Sequence, residues 1–310
     1  MTPNTLLVNP SEQDLEQSLR NFETSTNVGL HPVVRQSLGQ IEQGVFRVPF
    51  LGSHGPYIFG SIFTPTSAED GKPELAKIGI IATNDACLFL VSSEGNHSQI
   101  SDALALKLQQ TIATAETSAD SLLGVIEIVL KELDSHINAV DRNLGVAAEG
   151  IQRSEDLSSK RAANELASSQ VRIRIAAGEL MNFEPIADEM EKICIAISEG
   201  LLEHAEIVAD YLANRSRQLM AATRGVSRTL AELHIALEEE MSELVIRGNR
   251  LLMALASLFL TPVILLSFYT QFLAEGQNLS NGFTTNYFWV VIIGLVALET
   301  ALFRAKKWLR

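Results

Sequence analysis

Two apolar stretches near the C-terminus constrain this chain more than anything else in it. Leu251 to Ala274 runs 24 residues without a charge, and Tyr287 to Phe303 is apolar apart from Glu299. About 20 apolar residues at ~1.5 Å rise cross the hydrocarbon core of a bilayer. Both stretches are therefore expected to be transmembrane helices. The polar segment 275–286 joins them, and a basic tail, 304–310, follows.

Charge gives the orientation. Arg247 and Arg250 precede the first stretch, and Arg304, Lys306, Lys307 and Arg310 follow the second. The segment 275–286 has no Lys or Arg. By the positive-inside rule both termini are cytoplasmic and the loop faces out, as in a multi-pass protein of the plasma (inner) membrane. Tyr287, Trp289 and Trp308 fall where interfacial aromatics belong. Two spans cannot enclose a hydrated path by themselves, so conduction would require several copies.

Composition narrows the partners. Residues 1–246 carry 18 Lys/Arg against 35 Asp/Glu, a net charge of −17. Such a surface repels polyanions, so no nucleic-acid partner is expected, and it concentrates cations. Cys87 and Cys194 are far apart and without CxxC spacing, which indicates neither a disulfide framework nor a thiolate metal site. The first residues lack a basic segment followed by an apolar run, so no signal peptide is expected. The chain has no G-x-S-x-G, no H-E-x-x-H and no paired Cys–His, so no enzyme is expected.

Organisation follows from texture. Residues 1–97 read as an α/β portion with a small sheet. The first 40 are polar and mixed, with a helix start at Ser11 as N-cap and Asp14 at the capping-box position. Val45–Phe50, Tyr57–Phe63, Ile78–Ala82 and Ala86–Val91 are strand-like. Thr83-Asn84-Asp85 is a tight turn. Gly52-Ser53-His54-Gly55-Pro56 is read as a hairpin turn, because the lysine of a phosphate loop is missing. Residues 98–250 read as long helices and a stalk. One helix is expected from about Ser101 to Leu180, with its stripe at Ile126, Leu130, Leu133, Ile137, Val140 and Leu144. A turn between antiparallel helices is expected within 152–169. Pro185 is expected to break or start a helix. A further helix is expected from about Ile186 into the first span, with a coiled-coil-like stripe at Val226, Leu230, Leu233, Leu237, Met241, Leu244 and Leu251.

With these features in order, the chain resembles the CorA-type divalent-cation transporters. Tyr57–Ser93 looks like the strands of that family's cytoplasmic domain. Val171-Arg-Ile-Arg-Ile, running to Pro185, resembles its Leu/Arg-rich helix. Phe259 and Tyr269 stand at the family's separation in the first span, and Lys306-Lys307-Trp308-Leu309 resembles its terminal segment. The resemblance implies an α+β cytoplasmic domain with a long helical stalk, then a two-helix transmembrane hairpin, assembled as a funnel-shaped homopentamer. It implies a pore lined by the first span. The family's Gly-Met-Asn signature is absent: Thr270-Gln271-Phe272 follows the tyrosine, and Pro262 lies one position later than usual.

In the register of Phe259 and Tyr269, the pore-facing positions would be Asn249, Leu252, Ala256, Leu260, Val263 and Thr270, with Gln271 at the mouth. They share one face by spacing alone. The same stripe is what ordinary helix packing in a bundle requires. Glu275 would form an acidic ring at the outer mouth, or remain a solvated loop residue. Glu299 would mark an ion path, or lie near the inner interface and reach towards the basic tail. His234 with Glu238, and Glu203-His204 with Glu206 and Asp210, are candidate metal ligands. They are also what a solvated stalk face looks like. His136 between Asp134 and Asp141 is a third such group. No resident cofactor is expected beyond the transported ion. Zinc is favoured over magnesium, because Phe272 offers no oxygen to a hydrated magnesium shell. The alternative function is a non-conducting membrane scaffold or sensor on the same fold.

The charge asymmetry has a direct check. Cysteines placed at Asn281 and Ala305 are expected to label from opposite sides of the membrane with an impermeant thiol reagent. Labelling of position 281 from the cytoplasmic side alone contradicts the orientation.

Overall fold

Five strands form one sheet in the order β1-β5-β4-β3-β2. They are β1 (Asn4–Val8), β2 (Phe50–His54), β3 (Tyr57–Ser67), β4 (Pro73–Ala82) and β5 (Cys87–Ser93). The computed structural model describes residues 4–8, 12–35, 50–67, 73–93, 102–154, 159–201, 205–274 and 282–305. Its helices are α1 (Glu12–Thr26), α2 (Asp102–Thr114), α3 (Ser118–Ser154), α4 (Ser159–Ala196), α5 (Glu206–Ala274) and α6 (Gly282–Ala305). The contacts divide the chain into two units. One comprises Met1–Ala147 and Val171–Leu233, the other Ala148–Gln170 and His234–Arg310.

In the first unit, β2 to β5 are antiparallel and β1 adds in parallel to β5. Alternation sends the two sides of each strand to different covers. On one face, Tyr57, Ile81, Leu88 and Leu90 meet Leu15, Leu19 and Phe22 of α1, with Leu30 and Val34. On the other, Cys87 donates to the Ser118 carbonyl at 3.3 Å, and Ser118 donates to the Thr83 carbonyl. The β2–β3 turn is the expected hairpin: Gly55 has φ 63°, which glycine takes without steric cost. The Thr83–Ala86 turn is closed by Thr83 N–H on the Ala86 carbonyl at 2.8 Å.

Strand β1 departs from the sequence reading, which found no strand before residue 40. Its apolar content is only Leu6-Leu7-Val8. A polar anchor holds it instead: Asn4 accepts from the Cys87 N–H at 3.1 Å and donates to Ser121 Oγ at 2.7 Å. Of the expected strand Val45–Phe50, only Phe50 lies within the described residues, where it begins β2. Helix α1 starts at Glu12; Ser11 lies outside them.

The single helix expected over Ser101–Leu180 is three. Thr117 and Asp120 form a reciprocal cap, with Asp120 N–H on Thr117 Oγ1 at 3.0 Å and Thr117 N–H on Asp120 Oδ2 at 3.2 Å. That cap starts α3 afresh. Helices α3 and α4 end and begin at Ser154 and Ser159, inside the interval where a turn was expected. They run antiparallel: His136 meets the edge of Phe183, ring centroids 6.3 Å apart.

Pro185 neither breaks nor starts a helix; it lies inside α4. Its ring removes the donor to the Met181 carbonyl. Met181 is 78% exposed, so water can take that carbonyl, while Phe183, Ile186, Ala187 and Met190 are buried around the proline. Packing therefore overrides the break. The next helix consequently does not begin near Ile186. A π-helical turn, Ile197–Leu201, follows α4, and α5 begins at Glu206. It returns antiparallel to α4, with Arg217–Glu191 at 2.6 Å and Arg224–Glu184 at 2.9 Å. Ser216 donates to the Ala187 carbonyl between them.

Glycine 60 tests the β2–β3 contact. A Cβ there would stand 2.0 Å from the Phe50 carbonyl oxygen and 2.9 Å from Leu51 Cα, both backbone atoms. Gly60→Ala is expected to destabilise the fold by about 2 kcal/mol or more. Gly145→Ala, in α3 with nothing within 4 Å, is expected to gain about 0.5–1 kcal/mol. Thermal midpoints of the full-length variants in one detergent decide it; equal shifts contradict the packing.

Candidate functional site

Helix α5 is continuous over 69 residues, and its C-terminal part holds an apolar segment long enough to cross a membrane by length and composition. No break precedes that segment, as the sequence reading expected. The segment has two different sides. Ala254, Ser257, Leu258, Thr261, Pro262 and Leu265 are at least partly covered. On α6 the covered positions are Ile292, Leu295, Val296, Glu299, Thr300 and Phe303. Both sets recur at steps of three and four, so each is one helical face. Thr261 Oγ1 donates to Glu299 Oε1 at 2.9 Å and joins the two faces.

The expected pore stripe lies on the other side of α5. Asn249, Leu252, Ala256, Leu260, Val263, Thr270 and Gln271 are all exposed. Leu252, Leu260 and Val263 are 63%, 59% and 61% exposed, so the stripe is uncovered by the rest of the chain. At about 100° per residue the stripe centres roughly opposite the face turned to α6. Packing between α5 and α6 therefore does not account for it.

Ser267 belongs to the stripe and was missed by the sequence reading. It sits between Val263 and Thr270, at the same three-and-four spacing that found the others. Its hydroxyl donates to the Val263 carbonyl at 2.9 Å, and Thr270 donates to the Ser267 carbonyl at 2.9 Å. Both hydroxyls thus turn back to their own helix, as alcohols in apolar helices do. Gln271 carries the one side-chain amide between Leu251 and Ala274. Glu275 lies outside the described residues.

Among the described residues Glu299 turns to Thr261 on α5, and the basic tail from 306 on lies outside them. One oxygen takes Thr261, and the other, Oε2, is buried without a hydrogen-bond partner among the described residues. Its place in the helix explains this. It falls on the covered face with Ile292, Leu295 and Val296, whereas Arg304, five residues on, is exposed.

The candidate metal ligands are spread out. His234 Nε2 stands 3.3 Å from Glu238 Oε1, and both side chains are more than half exposed. This is a solvent-facing pair of limited strength. Glu203 and His204 lie outside the described residues. Asp210 accepts from Ser198 Oγ at 2.6 Å. His136 packs on Phe183, with Nδ1 2.9 Å from the Glu132 carbonyl. Burial pushes the neighbouring Glu179 up, and His136 opposes that shift. Among the described residues no three His, Cys, Asp or Glu side chains gather into a metal-binding group. Burial also pushes both thiols, Cys87 and Cys194, up to about 12.

No family model and no curated protein matches the sequence. Solved structures do. The chain is similar to the complete structure of the CorA magnesium transporter from Methanocaldococcus jannaschii, with TM-score 0.69 and 12% identity over 99% of this chain and 91% of that one. It is similar to the full-length CmaX protein, with TM-score 0.68 and 17% identity over 98% and 88%. The soluble domain of the same archaeal CorA gives TM-score 0.53 and 10% identity over 74% and 85%. The fold of this chain is the CorA-type fold, as the resemblance implied.

Proposed function

We propose that this chain is a CorA-like divalent-cation transporter or channel, passive and embedded in the plasma (inner) membrane with both termini cytoplasmic. Copies of the chain assemble as a homopentamer with α5 facing the axis. The observation that carries this reading is the uncovered stripe of α5, opposite the face that α6 occupies. A hairpin that leaves one helix face bare needs copies of itself to surround that face. The similar archaeal structure is that of a magnesium transporter, which favours a divalent cation as cargo.

The stripe is a dry constriction of Leu252, Ala256, Leu260 and Val263 between polar ends at Asn249 and at Thr270 with Gln271. Such constrictions gate by dewetting. Glu275 adds an acidic ring outside. We place zinc ahead of magnesium. Magnesium sheds water reluctantly and needs acceptor oxygens around its shell, which Phe272 does not offer. Zinc accepts nitrogen donors, and His234 beside Glu238, or Glu203 with His204, supply them on the cytoplasmic side. A non-conducting scaffold or sensor is the second reading. The stripe positions Leu252, Ala256, Leu260 and Val263, whose side chains offer no acceptor oxygen, favour it.

Two experiments test the reading, both on the full-length protein in lipid vesicles. Leu260→Asp, with Leu260→Asn as the milder companion, is expected to hydrate the constriction and raise cation leak. Variants that assemble normally with unchanged flux contradict the assigned face. Zinc and magnesium fluxes at equal gradients are expected to favour zinc, and Gln271→Ala is expected to alter the ratio. A strong magnesium preference in the parent refutes the ion assignment, and no flux with any divalent ion leaves the scaffold reading.

A further inference from the structure

Glu299 has an oxygen that the fold leaves unused. It is the one Asp, Glu, Lys or Arg between Gly282 and Phe303. A carboxylate within a membrane helix is costly, and such residues mark sites of function. Oε1 is satisfied by Thr261 at 2.9 Å, while Oε2 is buried with no partner among the described residues. A glutamine would take the same Thr261 hydroxyl at lower cost. The hydrogen bond alone therefore does not explain a carboxyl group at this position.

The surroundings decide what Oε2 can hold. Thr300 donates to its own helix at Val296, so its hydroxyl is committed there. Of the other covered positions nearby, Leu258, Leu265, Leu295 and Val296 are hydrocarbon, and Ser257, one turn before Thr261, adds one hydroxyl. Along α5 from Leu251 to Ala274 the one titratable residue is Tyr269, two turns from Thr261. On α6 the others are Tyr287, three turns before Glu299, and Arg304, beyond the apolar part. Magnesium and calcium take about six or more oxygens, and zinc about four ligands. One carboxylate and at most two hydroxyls fall short of either. A proton needs one oxygen.

The geometry points to Glu299 as a proton-binding site inside the hairpin, apart from the exposed stripe, whose occupancy is coupled to cation flux; the coupling rests on the transport reading. The route is short. Thr261 follows Leu260 of the stripe and precedes Pro262. That proline removes the donor to the Leu258 carbonyl, and a missing ladder bond of this kind is where helices kink most readily. A change at the Glu299 carboxyl acts on Thr261, which stands between Leu260 of the stripe and Pro262.

The test uses full-length protein in lipid vesicles and two readouts. Infrared spectra over a pH series are expected to show a carboxylic-acid carbonyl band that changes with pH and is lost in Glu299→Gln. Thr261→Val is expected to keep the band and shift it, because the carbonyl loses its donor. Metal flux is expected to vary with pH in the parent and to lose that variation in Glu299→Gln. A difference spectrum without such a band at any pH overturns the proton site. A Glu299→Gln flux profile parallel to the parent's overturns the coupling. Should Glu299→Gln fail to assemble, Thr261→Val carries the test, and an unshifted band overturns the assignment. A parent without flux refutes the transport reading, and the infrared arm still decides the proton site.

Discussion

A polar group inside hydrocarbon must find its partner within the protein, and on the proposed transport reading this rule orders the C-terminal part of the chain. It makes both apolar stretches helices. It turns the hydroxyls of Ser267, Thr270 and Thr300 back onto carbonyls of their own helices. After that, Thr261 and Glu299 are the polar side chains that meet between α5 and α6. Of the two packed faces, Ala254 and Ile292 are the fully buried members, at 0% and 6% exposed. Apolar contact there is light and without direction. The hydrogen bond is directional and fixes which side of α5 turns to α6.

The bare side of α5 follows from that. With Thr261 held inward, Leu260 and Val263 must point away, and Leu252 and Ala256 follow from helical spacing. The same logic places Ser267 and Thr270 on the bare side, towards the C-terminal end of α5. A helix with one face tied to its hairpin partner and the opposite face bare is what a ring of copies around an axis requires. The cation reading thus grows from side-chain placement together with the CorA-type fold. The signature residues of the resembling family contribute nothing to it, because Thr270-Gln271-Phe272 stands in their place.

Much of this was legible in the sequence because it rests on periodicity and on charge-free length. The β2–β3 hairpin, the Thr83–Ala86 turn, the turn between α3 and α4 and the seven exposed stripe residues all have local signatures. What was missed depends on contacts distant in the chain. Strand β1 is anchored through Asn4 to Cys87 and Ser121, which no window around residue 4 contains. Pro185 is carried through α4 because packing around Phe183 and Met190 compensates a locally unfavourable residue. The direction of Glu299 is set by Thr261, 38 positions away. The cap at Thr117 and Asp120 had a local signature, T-x-x-D, which the apolar stripe from Ile126 to Leu144 outweighed.

The orientation of α5 about its own axis is the claim from which the rest descends, and disulfide cross-linking in lipid vesicles tests it most directly. Burial holds both native thiols, Cys87 and Cys194, at about 12, so they stay silent under mild oxidation. Single cysteines at Leu260 and Val263 are expected to cross-link copies of the chain, and cysteines at Leu258 and Leu265, on the side turned to α6, are not. Cross-links at Leu258 or Leu265 with none at Leu260 would place the wrong face of α5 at the axis and contradict the account.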